Sequence, residues 1–159
     1  MSEYPYGISA DLNTEERARL EATPVSLGHG RSRTLADLVV GWAAHVTRLL
    51  AERDLPIQER RDAWNAHDYV AALIIRGMLE RGLALVDGEL RPKVAQVVTR
   101  FDEQLRSFTE PDEHGVLRRF ASDEAGNQWW WERIPRTGPI RDDLNALPPP
   151  PPPPPPSPI

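Results

Sequence analysis

Two short echoes of one pattern, Trp42-Ala43-Ala44-His45 and Trp64-Asn65-Ala66-His67, are the first places where this chain could do chemistry. If the segments carrying them pack as antiparallel helices, two imidazoles come near each other, and Asp37 or Asp68 could add a carboxylate for a metal or an acid/base pair. The spacing argues against it. Neither segment has two histidines at i, i+4, as chelation from one helix face favours, and the two rings occupy different parts of their apolar stripes. A core or boundary histidine packed one turn from a tryptophan explains the same letters. No metal and no cofactor is therefore expected, and His45 and His67 are kept for one alternative reading, a small-ligand or metal-dependent enzyme.

A second constellation is Gly28-His29-Gly30-Arg31-Ser32-Arg33-Thr34. Gly28 and Gly30 would let backbone amides approach an anion, Arg31 and Arg33 would add charge, and a following helix N-terminus would be electropositive. It is not a phosphate-binding P-loop, since the spacing and the lysine are missing. A solvated connector ending in a Thr34 N-cap explains it equally. Ser32, Ser107 and Ser122 have no nucleophile-elbow context.

The third feature is Trp129-Trp130-Trp131, followed by Arg133 and Arg136. Each indole covers roughly 150–250 Å², so three exposed together would present about 450–750 Å², more than the ~300–600 Å² of a typical largest apolar patch. If the segment is a strand, alternate side chains point to opposite faces. Trp129 and Trp131 are then the buried pair, and Trp130 is the outward ring. Trp130, Arg133 and Arg136 become the candidate partner-binding residues.

Composition bounds these readings. The 159 residues suit a single domain, and the absence of cysteine removes thiol nucleophiles and disulfides and fits a reducing compartment. The N-terminal residues lack the charge and apolar run of a secretory signal, and the longest apolar run, Val70 to Ile75, is far short of a membrane span. The expectation is a soluble cytoplasmic protein. Net charge is −5, with acids against bases 8 to 6 over residues 1–55, 8 to 8 over 56–109 and 8 to 5 over 110–159. No third is basic, which disfavours nucleic acid as a partner. Eighteen arginines against one lysine fit a GC-rich bacterial coding sequence rather than a special arginine function.

The elements that must position these residues are mostly helical. A short helix starts at Asn13 or Thr14 and stops before Pro24, after a flexible lead-in over residues 1–13. A second runs from Thr34 to about Leu55, with Leu35, Leu38, Val39, Trp42, Val46, Leu49 and Leu50 at helical period. A third starts near Pro56, breaks near Asn65 and ends at Gly82 in a left-handed cap, burying Trp64, His67, Val70, Ala71, Leu73, Ile74, Ile75 and Met78. Asp87-Gly88 reads as a hairpin turn. A further helix from Pro92 to Phe108 carries a narrow stripe, and residues of about 116–134 read as a second hairpin. Nine prolines from Pro148 to Pro156 make residues 141–159 a disordered, polyproline II tail.

The predicted architecture is mainly α: a bundle of three to four helices over residues 14–140, with one or two appended β-hairpins. The function it suggests is a non-enzymatic protein–protein interaction protein, adaptor or regulator. The alternatives are a DNA-binding regulator with the 84–91 hairpin as a wing, and the enzyme above. Exposed aromatics bind polyproline II, so the tail could engage a partner or this chain itself.

Overall fold

The computed structural model describes residues 4–121, 125–148 and 154–158. Ser122, two residues of the expected turn (123 and 124) and tail positions 149–153 lie outside them. The described residues are mainly helical, with five α-helices rather than three to four and two small antiparallel strand pairs.

Helix α1, Thr14–Glu21, starts where a reciprocal capping box closes: Asn13 accepts from the Glu16 amide, and the Glu16 carboxylate accepts from the Asn13 amide. The lead-in is not loose, because Ile8 and Leu12 are buried in the core. Strands β1 (Pro24–Gly28) and β2 (Arg31–Thr34) form a hairpin where a connector was expected. Its two-residue turn is His29-Gly30, both at positive φ (54° and 74°), the conformation a tight hairpin turn requires. Thr34 then accepts from the Asp37 amide and caps α2, Leu35–Glu52, which buries Leu35, Leu38, Val39, Trp42, Val46 and Leu49 as the period predicted, together with Ala36 and Ala43, and leaves Leu50 half-buried.

Helix α3, Ala66–Leu83, starts after the break at Asn65, which closes a second capping box with Asp68. Gly82 is not its left-handed cap. It lies inside the helix and is buried against Val25 and Leu35; an added Cβ would stand 2.7 Å from Leu35 Cδ1. Asp87-Gly88 does not turn a hairpin either, but links α3 to α4, Leu90–Phe108, so the proposed wing is absent. Here Arg91 Nε donates to the carbonyls of Leu83 and Val86, tying down the end of α3. Strand β3 (Thr109–Pro111) pairs with β4 (Arg133–Pro135), and helix α5 (Pro139–Asn145) runs into the expected tail, burying Ile140 before it and Leu144 within it.

The core lies between α2, α3 and α4, and at its centre is an ion pair. Arg76 of α3 donates Nε to Asp102 Oδ1 and Nη2 to Asp102 Oδ2, both at 2.9 Å, and Trp42 Nε1 of α2 donates to the same Oδ1 at 3.0 Å. Arg76 Nη1 continues to Glu80 at 2.8 Å. Burial alone would lower the Arg76 pKa; the bonds and charges of Asp102 and Glu80 outweigh it and hold the group above its ordinary value. One carboxylate therefore ties three helices together.

That pair decides which face of α3 turns inward. The buried residues are Ala66, Tyr69, Ala72, Leu73, Arg76, Leu79 and Gly82. At about 100° per residue, His67, Ala71, Ile74 and Met78 lie roughly opposite Arg76. The apolar face expected in the core is therefore only partly there: Leu73 is buried, while His67, Ala71 and Ile74 are exposed and Met78 is half-buried.

Removing Asp102 alone strands a buried guanidinium, so Asp102→Ala should cost about 3–5 kcal/mol in chemical denaturation. The double variant Arg76→Met/Asp102→Leu should lose much less than the sum of the two single losses. The Glu16 carboxyl is held below its ordinary 4.5, first by the Asn13 amide and then by Lys93. The folded-state pKa being the lower one, this contribution exists above about pH 4.5 and is lost as pH falls through the folded value. Glu16→Gln should remove that part of the acid dependence of the melting temperature.

Candidate functional site

The three tryptophans do not form a strand. Trp129–Glu132 is a 3₁₀ turn, started by the Gln128 and Trp131 amides donating to the carbonyls of Ala125 and Gln128. With three residues per turn, consecutive side chains point about 120° apart rather than alternating. Trp130 and Trp131 are both buried, at 3% and 4% exposure, and Trp129 is half-buried. The assignment of Trp130 as the outward ring is thus overturned. Its face lies 4.4 Å beneath the Arg76 guanidinium, and its edge meets Trp129, with ring centroids 5.7 Å apart. The Arg106 guanidinium covers Trp129 in turn, at 3.9 Å. The Trp130 indole N–H is buried with no hydrogen-bond partner among the described residues.

The neighbouring arginines serve the fold. Arg133 donates Nε to Thr109 Oγ1 and Nη2 to the Thr109 carbonyl, clamping β3 to β4. The Arg133 carbonyl accepts from Tyr69, whose hydroxyl pKa is raised by burial. Arg136 is exposed and reaches the Ser107 carbonyl at 2.8 Å. The structure therefore does not gather Trp130, Arg133 and Arg136 into one open surface.

The histidines are likewise apart in role. His45 Nδ1 lies 2.7 Å from the Gly41 carbonyl, and its ring packs at 4.9 Å on Trp64, which also carries Arg48 at 4.5 Å. His67 is exposed, with its ring edge-on to Phe120. Among the described residues no group of three or more His, Asp or Glu side chains could hold a metal ion. Gly28 precedes the hairpin turn and Gly30 is its second residue, and Arg31 and Arg33 project from β2 as exposed side chains. The glycines serve the turn, and the amides that would have cradled an anion belong to a hairpin rather than to a helix N-terminus.

What the structure does assemble is a cleft along the outward face of α3. The larger part, about 720 Å³, has Leu73, Ile74, Gly77 and Met78 as its floor. Leu27 of β1 forms one wall and Trp131 the other. Among the described residues its polar groups are Ser26, Arg81 and Gln128, with no carboxylate. Arg81 Nη2 donates to the Ser26 carbonyl at 3.1 Å, which holds the hairpin wall against α3. A second cleft of about 230 Å³ lies on the other side of Ile74 and Met78, against Leu38, Gly41 and Ile75, with Arg33 and Asp37 at its rim. Leu27, Ile74 and Met78 line both parts, and Ile74 is 44% exposed.

Sequence reasoning missed this site because it assigned Ile74 and Met78 to the core. The available signal was Arg76, a charge in the middle of an apolar helix, which asks for a buried partner or an outward-facing side. The Trp assignment can be checked directly. Trp130→Ala should cost about 3–5 kcal/mol, and Trp129→Ala clearly less, by denaturation followed through far-ultraviolet circular dichroism. Trp130→Phe should fall well below the alanine loss, because it also removes the unpaired N–H. No protein-family model, curated protein or solved structure matches this chain.

Proposed function

We propose that this chain is a non-enzymatic protein–protein interaction module that docks an apolar segment of a partner in the cleft along α3. The observation that supports this reading is the exposed Ile74–Met78 ridge between two adjoining clefts, on the helix face opposite the buried Arg76. Burying apolar area drives association, and a helix face or extended strand in an apolar groove is a recurrent mode of peptide recognition. Among the described residues the cleft brings no pair of carboxylates together and no histidine onto its walls. Its three polar groups suit orientation of a bound segment better than proton transfer.

The wall positions have independent structural support. The hairpin side is set by Val25 packing on Gly82, and the opposite side by the 3₁₀ turn anchored through Trp130 on Arg76. A groove formed between rigid elements loses little freedom on binding, which favours affinity for a given area.

A photo-crosslinking amino acid placed at Ile74 should give a discrete adduct in cells of the source organism, lost when Met78→Glu is added. The same probe at Gln96, exposed on α4, should not give that adduct. No adduct at position 74, or the same adducts at both positions, would refute the docking surface.

A further inference from the structure

The proline tail starts at one end of the α3 face that forms the cleft. Asp143 of α5 accepts from the Ala66 amide at 2.7 Å, so α5 sits at the N-terminal end of α3. Leu147 packs against the core, and Arg119 Nη1 holds the Pro148 carbonyl at 2.9 Å. The next residue, Phe120, meets His67 on the outward face of α3, with ring centroids 6.3 Å apart. Arg118 reaches the other way, donating to the Gly126 carbonyl at 2.6 Å, beside the Ala125 and Gln128 that line the cleft. The segment 117–120 thus bridges the base of the tail and the cleft.

From His67 the outward face continues through Ala71, Ile74 and Met78 to Arg81, a helical distance of about 21 Å at ~1.5 Å per residue. Ten residues beyond Pro148 in polyproline II span about 31 Å at ~3.1 Å per residue. The tail is long enough to lie along the whole cleft. Its chemistry also matches. A proline run offers carbonyl acceptors and apolar rings but no amide donors, so it leaves no donor stranded against an apolar floor. The polar side chains among the described residues of the larger cleft, Ser26, Arg81 and Gln128, carry donors, and none of those residues is a carboxylate.

We infer that the proline tail following Pro148 is an intramolecular occupant of the α3 cleft, folding back along it and competing with the partner segment. The inference rests on the reading of that cleft as a peptide-docking surface. In this structure Pro154–Pro158 are exposed. Tethering favours closure, because it fixes a high effective concentration of tail at the groove without any new contact.

The chain has no cysteine, so Ile74→Cys in the full chain reports directly on the cleft. Its rate of maleimide labelling is compared with that of the same variant whose prolines 149–156 are replaced by glycine and serine at unchanged length. The native tail should slow labelling by at least about threefold, as a tethered ligand occupying the groove most of the time would. The slowing should persist on tenfold dilution, and Gln96→Cys should label equally in both backgrounds. Equal rates at position 74 overturn the inference, as does protection that vanishes on dilution, which would assign it to a second copy. Photo-crosslinking at position 74 is run with both tails to separate the two ideas. Equal labelling beside a persisting adduct removes the tail alone, whereas no adduct with either tail removes the docking surface.

Discussion

The buried pair between Arg76 and Asp102 constrains everything around it. A guanidinium in a helical core is tolerable only if its donors are satisfied, and here one carboxylate accepts two of its bonds while also taking the Trp42 indole N–H. Such a pair adds little net stability over an apolar substitute, because desolvation offsets most of the attraction. Its effect is on geometry. It admits one rotation of α3 relative to α2 and α4, the one that brings Arg76 to Asp102, with Trp130 under the guanidinium.

That rotation has a cost on the other side of the helix. Turning Arg76 inward leaves Ile74 exposed and Met78 half-exposed, positions that composition alone would have put in the core. The hairpin and the tryptophan turn flank this face without closing it, so the same contact that orders the core also creates the cleft. The β1 wall is held by close packing, since Gly82 lets Val25 and Leu35 approach α3 where a larger residue would need them to shift. The opposite wall is held by aromatic packing on a charge network. Core and cleft are two faces of one arrangement of α3.

Local sequence signals were legible where the controlling interaction is local. The Asn13 cap, the Thr34 cap and most of the stripe of α2 are satisfied within one or two turns and lie where their letters indicated, while Asn65, read only as a break, closes a capping box with Asp68. Errors occurred where distant residues decide. Gly82 reads as a helix stop but is a packing site for two residues far away in sequence. Asp87-Gly88 reads as a hairpin turn but joins two helices. His29-Gly30, read as part of a connector, turns a hairpin whose strands are too short and polar to announce themselves.

The sequence by itself determined that the chain is mainly helical, where α2 and α4 present their apolar faces, and that cysteine chemistry is excluded. These follow from periodicity, capping residues and composition, which act over a few residues. Only the tertiary structure decided which face of α3 is buried and which tryptophan is covered. Both depend on a partner 26 residues away, Asp102, and on a 3₁₀ turn whose three-residue period sends adjacent indoles in different directions. A one-dimensional pattern cannot express a long-range charge pair that outweighs the apolar count of a helix face.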